Sequence, residues 1–554
     1  MPPSQVKFKT SDEVDFVIIG SGAAGGVLAK ELSTNGFRVV VLEQGPYLTE
    51  ADFVHDEVKV FQENILTNHP ELQPNTFRKT VDEKAVPQRA VAYGRCVGGA
   101  SVHFSANYWR FHEIDFVERS KVGPIPGTGL ADWPITYDDL EPYYTKVEWE
   151  IGVSGLAGAS PFDPPRSKPY PMPPLPVKSN GVIFERAAKK LGYHPFPAPM
   201  AILSQPRPGR SACVNCGFCL GFGCEVGAKS TSLSTVIRMA EKTGRCEIRP
   251  NSYVYRVEMD NHGRATGVAY FDAKKQAQVQ KAKAVIVAAN GAETPRLLLL
   301  SASKQFPNGL ANSSGLVGKY LMPNSGIVAY GVYDEPMNDY KGVAVSRIFH
   351  DFYEIDMHKN GFYGGGGLDA RFDFTPVAFA LGGLPPGTPK WGKEFKNALR
   401  QNFTRTMEIF CHGTSLAVES NNFSLDPDVK DAWGLPALRM TYKDHPNDLK
   451  FTAWMVERAM EVLDASGAKT KWHNPVQEQE LAVHLLGTCR MGTDPKSSVI
   501  NTDHRTHEVK NLFLCDGSSL VTSGRGQPTM TIQALAYRAS DRITELAKRG
   551  EIPA

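Results

Sequence analysis

The 554-residue chain is 42% hydrophobic and 22% charged, proportions of a globular protein large enough for a two-lobed enzyme with one continuous core. Its 61 Lys and Arg against 59 Asp and Glu leave a formal charge of +2, which excludes long-range steering toward nucleic acid or acidic lipid. No run of about 18 apolar residues marks a membrane span, and nine cysteines in so long a chain do not make a disulfide framework. The opening MPPSQVKFKTSDEVDFVIIG lacks a basic n-region, an apolar h-region and a small-residue cleavage site, so no export signal of its own is expected.

Chemistry begins with Asp15 to Glu43, DFVIIGSGAAGGVLAKELSTNGFRVVVLE. A β-branched run predicts a strand, Gly20-x-Gly22-x-x-Gly25 a turn into a helix, and RVVVLE a second strand. Gly20 permits the tight turn, Gly22 lets the backbone approach a pyrophosphate, and Gly25 lets the helix pack on the strand. The helix N-terminus offers N–H donors and the positive end of its dipole to phosphates. Glu43, 23 residues after Gly20, stands where a carboxylate accepts from ribose hydroxyls. Strand, helix, strand and acid in that order predict dinucleotide binding; this unit alone does not separate FAD from NAD. A second glycine cluster, GRCVGGASVHFSANYWR from Gly94 to Arg110, again presses backbone toward a ligand at Gly98 and Gly99.

From Pro161 to Pro176 the chain reads PFDPPRSKPYPMPPLP, too rich in proline for a helix or a central strand, and an extended surface segment is expected. Then comes SACVNCGFCLGFGCEVG, in which Cys213, Cys216, Cys219 and Cys224 follow C-x2-C-x2-C-x4-C. Zinc usually takes two separated ligand pairs. Four thiolates in one tight loop, with Gly217, Gly221 and Gly223 to turn amides toward sulfur, suit an iron–sulfur cluster better, with zinc as the alternative. Idle thiols so close together would invite oxidation. The remaining cysteines, Cys96, Cys246, Cys411, Cys489 and Cys515, read as small buried hydrophobes. Later in the chain come GAETPRLLLL from Gly291, a GGGG run from Gly364 that predicts close backbone packing, LAVHLLGTCRMG around His484, Asp516-Gly517, and GQPTMTIQALAYR from Gly526. No internal repeat is present.

The glycine cluster at 94–110, the GAETPRLLLL stretch and the C-terminal Asp-Gly and GQPTMTI segments, in that order, resemble the signatures of the glucose-methanol-choline (GMC) flavoprotein oxidoreductases over nearly the whole chain. The resemblance implies a mixed α/β fold: a Rossmann-like FAD-binding domain of the p-hydroxybenzoate-hydroxylase type and a substrate domain on an antiparallel sheet. The expected boundaries are 1–324 for the FAD domain, 325–480 for the substrate domain and 481–554 for a return to the FAD domain. Beside Gly20, Gly22, Gly25 and Glu43, it implies flavin contacts at Gly94, Arg95, Gly98, Gly99, Ser101, His103, Ser105, Val254, Gly291, Asp516, Gly517, Pro528 and Thr529. Some family members attach the flavin through the histidine at position 103 and others keep it unbonded. The family's catalytic histidine falls on His484, whose neutral imidazole would take the hydroxyl proton as hydride leaves for flavin N5. Gln527 stands where the family usually has histidine or asparagine; its amide can donate to the substrate oxygen but cannot be a base. Asn107, His412, His504 and His507 are further polar candidates with surface or core readings.

A bacterial subset of the family, similar to glucose and gluconate dehydrogenase catalytic subunits, carries a cysteine-rich insertion here with a [3Fe-4S] cluster on three cysteines. This chain spaces its cysteines differently, so a [4Fe-4S] cluster on all four stays open beside [3Fe-4S]. The resemblance then implies a dehydrogenase acting on a sugar or glycoside hydroxyl, with electrons leaving singly to an external acceptor such as cytochrome c. A non-sugar alcohol, or an electron-transfer subunit without substrate chemistry, are the alternatives. Neither Cys-x2-Cys is followed by the histidine of a Cys-x2-Cys-His haem site, since Gly217 and Leu220 stand next, so no haem site of that type is expected. A small companion subunit with a twin-arginine signal would export the folded chain to the periplasm; the competing expectation is a cytoplasmic monomer with a diffusible acceptor.

Overall fold

The computed structural model describes residues 6–552; the first five residues, where the stretch read for an export signal begins, and the last two lie outside it. The β-branched run Val14–Ile19 forms the expected strand, and Val39–Leu42 lies parallel to it with Phe16 opposite Val39 and Ile19 opposite Leu42. On its other edge lies the long strand Ala277–Val287, also parallel. That strand changes partners along its length. Its C-terminal half also pairs in parallel with Leu512–Leu514, and its N-terminal half pairs antiparallel with Ala265–Phe271, which carries Tyr253–Met259 in turn. Cys246–Arg249 completes the seven-stranded sheet beyond Val39–Leu42. Val14, Val17, Ile18, Val39, Val40 and Val41 have no exposed surface, as expected of parallel strands covered on both faces. The helix Ala23–Thr34 packs against the C-terminal helix Thr529–Lys548, and Tyr137–Val147 against the latter again.

The second sheet has six strands, all antiparallel, in the order Thr470–His473, Ser325–Val332, Thr406–Gly413, Gly366–Arg371, Val345–Phe349 and Phe196–Pro197. Alternation along a strand sends side chains to opposite faces. Met407, Ile409 and Cys411, with Leu368 and Ala370 next door, enter one core with Phe451, Met455 and Val462 of the helix Pro446–Ser466. The alternate residues Glu408 and His412, with Asp369 and Arg371, take the other face, and all four are buried. One face is therefore apolar and helix-covered, the other polar and turned away from those helices.

The chain does not keep one expected segment to each sheet. Asn75–Arg78 and Val86–Pro87 pair with Asn422–Lys430 and Pro436–Thr441 in a third, four-stranded sheet, and Phe196–Pro197 edges the antiparallel sheet. Both are pieces of 1–324 that complete sheets built mainly from 325–480. Residues 161–176 form no helix and no strand. The GGGG run is packed backbone to backbone: a Cβ at Gly365 would lie 2.0 Å from the Tyr353 carbonyl oxygen, and one at Gly366 1.8 Å from that of His412. Among the described residues no helix is long and apolar enough to cross a membrane.

Candidate active site

The first strand meets the first helix at Gly20, whose φ of +93° lies in the left-handed region that glycine alone enters freely. A Cβ at Gly25 would stand 2.0 Å from the Gly20 carbonyl oxygen, so the helix seats on the strand only without one. A Cβ at Gly99 would come within 2.8 Å of the Gly22 Cα. The two glycine clusters, far apart in sequence, thus press together into one cradle. The helix Ala23–Thr34 has no side-chain cap at its N-terminus, leaving amides there for an anion. At the end of the second strand the buried Glu43 carboxylate accepts from Ser21 Oγ (2.7 Å), Ser21 N (3.1 Å) and Gly45 N (3.0 Å). Burial raises its pKa and these donors oppose the rise.

The cradle is one wall of a cavity of about 210 Å³. Gly20, Gly22, Glu43, Gly94, Gly99, Ser101 and Val254 line it, and from later segments so do Gly291, Asp516, Gly517, Pro528, Thr529 and His484. Asp516 is anchored by Ser518 N (2.7 Å), Asn290 N (3.1 Å) and Thr294 Oγ1 (2.5 Å). Other expected contacts stand behind the lining. Gly25 seats the helix; Gly98 donates its N–H to Ser21 Oγ (3.1 Å) and its carbonyl accepts from Ser101 Oγ (2.7 Å). Arg95 donates its N–H to the Leu66 carbonyl (2.9 Å). His103 and Ser105 do not line the cavity; the buried His103 ring leaves Nε2 without a protein partner, and burial, then Lys229, hold its pKa near 4. Cradle, carboxylate and two helices that begin at the cavity wall suit a dinucleotide.

The comparisons with known proteins agree. The GMC oxidoreductase N-terminal family model matches residues 14–322, and the C-terminal model matches 417–536. The chain belongs to the GMC oxidoreductase family. It is 36% identical over 97% of its length to 2-methyl-1,2-propanediol dehydrogenase of Mycolicibacterium austroafricanum, covering 96% of that protein. It is 31% identical over 97% of its length to the fructose dehydrogenase large subunit of Gluconobacter japonicus, covering 98% of it. The fold matches a crystal structure of formate oxidase at a TM-score of 0.68 and 16% identity, over 98% of this chain and 100% of that one. Members of the GMC family bind FAD and act on CH–OH donors, and the glycine cradle and carboxylate of this cavity fit FAD.

In this GMC oxidoreductase His484 closes the cavity, and its Nδ1 lies 3.0 Å from Asn324 Oδ1. Burial, then His412, hold its pKa near 4, so the ring is neutral at pH 7. Gln527 is half-buried, next to Gly526, where a Cβ would meet His412 Cδ2 at 2.7 Å and Trp109 Nε1 at 3.1 Å. The rings of Trp109, His350 and His412 lie within 5.1–5.9 Å of one another. Trp109 Nε1, both ring nitrogens of His350 and Nε2 of His412 are buried without a hydrogen-bond partner, as are both amide atoms of Asn107; His412 Nδ1 faces the Asp369 carboxylate at 3.6 Å. By contrast, His504 Nδ1 bonds the Leu514 carbonyl (3.0 Å) and His507 Nε2 the Ser498 hydroxyl (2.8 Å); these two are structural. The sequence offered no signal for Asn324, Trp109 or His350, which reach the site through sheet register and a distant loop. Ser21 was within reach of sequence reading, as the residue between the first two glycines.

The four clustered thiols all line a second, smaller cavity of about 40 Å³, with His55, Phe218 and Lys229. All four are free; Cys216 is exposed and the others half-buried. Among the described residues no three His, Cys, Asp or Glu side chains are arranged to hold a metal ion. Burial pushes the Cys219 thiol up to about 12. Lys229, 2% exposed, donates to the carbonyls of Cys219 (2.6 Å), Phe222 (2.8 Å), Phe104 (3.0 Å) and Val102 (3.3 Å). Gly221 N donates to the His103 carbonyl (2.7 Å). These bonds tie the cysteine loop to the 98–104 loop of the FAD cradle. No carboxylate pairs with Lys229 among the described residues; burial lowers its pKa, and Cys219, Cys224 and Cys216 would oppose that only as thiolates. A buried ammonium is costly unless compensated, so the donor set suits an anionic thiolate cluster.

Proposed function

We propose that this GMC oxidoreductase is a dehydrogenase that oxidises one hydroxyl of a polyhydroxylated substrate, a sugar or glycoside, and releases electrons singly through an iron–sulfur cluster on the Cys213, Cys216, Cys219 and Cys224 loop. The observation that carries the substrate reading is the polar cluster of Trp109, His350 and His412, which stands behind Gly526, beside Gln527, rather than in the cavity lining. Unpaired buried donors and acceptors destabilise a protein by roughly 1–3 kcal/mol each, and hydroxyls beyond the reacting one would satisfy them. The relatives named for a propanediol, fructose and gluconate accord with this class, and the first keeps a small diol open as the second reading.

FAD, when bound, supplies the acceptor for the hydride from the substrate carbon. The chain supplies the rest. His484, neutral in its buried position, takes the hydroxyl proton. The Gln527 amide donates to the same oxygen and holds it toward the base. Burial of Trp109, His350 and His412 excludes water from the reacting carbon. A cluster beside the FAD cradle would accept one electron at a time, which an acceptor outside the chain requires; the Lys229 ammonium, lacking a carboxylate partner, supports an anionic group there. We place the enzyme in the periplasm with a signal-bearing small subunit and a cytochrome c or similar acceptor. The printed name of one relative, a large subunit, supports a companion chain.

Anaerobic titration of the FAD-loaded protein with sugars, glycosides, small diols and simple alcohols tests the reading. A polyhydroxylated compound should bleach the flavin, and His484→Ala should keep FAD while slowing that reduction roughly 100-fold or more. Bleaching by monohydric alcohols alone overturns the substrate class. Iron and acid-labile sulfide in the purified protein test the cluster; zinc without sulfide rejects it. Fractionating cells with and without the small-subunit gene tests the location, and activity that stays cytoplasmic in both rejects export.

A further inference from the structure

Asn324 stands where the antiparallel sheet begins, immediately before the strand Ser325–Val332, and it touches His484 across 160 residues of sequence. Its φ is +64°, a left-handed conformation that asparagine tolerates better than most residues. Its backbone is held on both sides: N–H donates to Ser415 Oγ (3.1 Å) and the carbonyl accepts from Gln479 Nε2 (3.0 Å). Its side-chain amide nitrogen faces three backbone carbonyls, of Gly413 (3.1 Å), Ser523 (3.2 Å) and Gly524 (3.2 Å). All three are acceptors that cannot donate. Turning the amide over would set its oxygen against three carbonyl oxygens and give up their hydrogen bonds, leaving the N–H groups only His484 Nδ1 to meet. The orientation of the amide is therefore dictated by the network around it, and Oδ1 is the atom that meets the histidine.

An oxygen that only accepts fixes what its partner must be. Nδ1 of His484 at 3.0 Å has to carry the proton, and a neutral imidazole protonated on Nδ1 has its lone pair on Nε2. No protein group bonds that Nε2 among the described residues, and the ring borders the FAD cavity. We propose that Asn324 is the positioning residue of the active site: it locks His484 in the Nδ1–H tautomer and leaves Nε2 as the proton acceptor for the substrate hydroxyl. The step is a proton transfer alone. The substrate O–H bond breaks and the Nε2–H bond forms, while hydride departs from the adjoining carbon to the cofactor. The opposite tautomer would present an N–H to the hydroxyl and could not begin the reaction. Tautomer choice is set by the bond the other ring nitrogen makes, and in serine hydrolases the wrong tautomer lowers kcat by about 10⁴.

This inference rests on His484 being the base, and the two can fail separately. The test is nitrogen-detected NMR of histidine in the FAD-loaded protein labelled with ¹⁵N-histidine, with the His484 signals assigned by their loss in His484→Gln. The expected spectrum shows a protonated Nδ1 and an unprotonated Nε2 at pH 7. Asn324→Ala should shift the signal toward the mixed tautomers of a free imidazole, and lower kcat roughly 100-fold while KM changes little, because no substrate contact is removed. A protonated Nε2 in the unmodified protein overturns the proposal, whatever the variant does. So does an Asn324→Ala enzyme with the native tautomer and native kcat. If His484→Gln reduces flavin normally, the base assignment itself has failed; if that variant is inactive and Nε2 is protonated, the tautomer proposal alone has failed.

Discussion

The FAD cradle and the cysteine loop touch each other, yet they are built on opposite plans. The cradle is made of backbone. Its shape follows from glycines whose missing Cβ atoms let strands, helix and loop approach to contact distance, and its carboxylate, Glu43, accepts from Ser21 and Gly45. The cavity exists before any ligand enters. The cysteine loop is made of side chains whose purpose is valence. Its thiols surround a cavity of about 40 Å³, without three of them converging on one point, and its buried ammonium has no carboxylate. A backbone site is finished by folding, whereas a thiolate site is finished by its ligand.

The cradle should therefore be the less forgiving of the two, and the largest effect is expected there. Gly25→Val sets a branched side chain where even a Cβ would lie 2.0 Å from the Gly20 carbonyl oxygen. Helix and strand must separate, and FAD binding should be abolished together with most of the soluble yield. Flavin content and circular dichroism measure it; a soluble, yellow Gly25→Val would mean that the cradle gives way more readily than its packing indicates. Cys219→Ser comes next. It changes one atom in a loop that does not shape the FAD cavity, so the protein should keep its flavin and lose most of its iron. Loss of FAD as well would erase the distinction between the two regions.

Lys229→Met is subtler because it acts at their junction. It removes four hydrogen bonds to carbonyls of both loops and a cation buried against the thiols, while keeping the volume of the stem. Iron content should fall several-fold and FAD content should hold. Substrate should still bleach the flavin, but reduction of an external one-electron acceptor should slow by at least tenfold. Full iron and an unchanged acceptor rate would show that the lysine only packs.

How much of this could be read from the sequence follows the same division. Gly20, Gly22, Gly25 and Glu43 were legible because the chain's local order, strand then turn then helix then strand, carries their roles within thirty residues. The cysteines were legible as a cluster, since thiol spacing alone is informative, but not as a geometry. The cluster of Trp109, His350 and His412 was legible only at His412, which stood among the polar candidates, and not as a cluster. His412 reaches it through a strand register in which Glu408 and His412 share a face, and Asn324 meets His484 only after the chain has crossed the whole antiparallel sheet. Long-range strand pairing was hidden for a related reason: Asn75–Arg78 pairs with Pro436–Thr441, and pairing over such a separation leaves no trace in local pattern. Ser105, placed near the flavin by its position in a motif, stands outside the cavity lining because the backbone bends away after Phe104.

The smallest expected effect concerns acid, and it again separates the regions. Burial, ahead of any charged neighbour, holds His103, His484 and His504 near pKa 4, against an ordinary 6.5, and His112 and His350 well below it. These rings are neutral in the folded protein throughout pH 5–7, but the unfolded chain takes up protons below about 6.5. Where the unfolded state binds more protons, stability rises with pH. The histidines' contribution is thus complete above about 6.5, declines as pH falls toward 4, and falls no further once the folded rings also protonate. The cradle carboxylates run the other way. Burial raises Glu43 and Asp516 above the ordinary carboxylate range, so their contribution is greatest in acid and is lost as pH rises through their folded values. Buried carboxylates outside the cradle, Glu118, Asp163, Asp339, Glu408 and Asp448, are raised to between about 6 and 8 and oppose the histidines over the same window, so the histidine part is read by substitution. In His504→Gln the melting temperature at pH 5, taken relative to that at pH 7, should stand higher than in the unmodified protein, because His504 touches neither substrate nor cofactor and its ring nitrogen bonds a backbone carbonyl that glutamine can also reach. An identical pH dependence in the two proteins would mean that the buried ring finds an acceptor and charges within the fold.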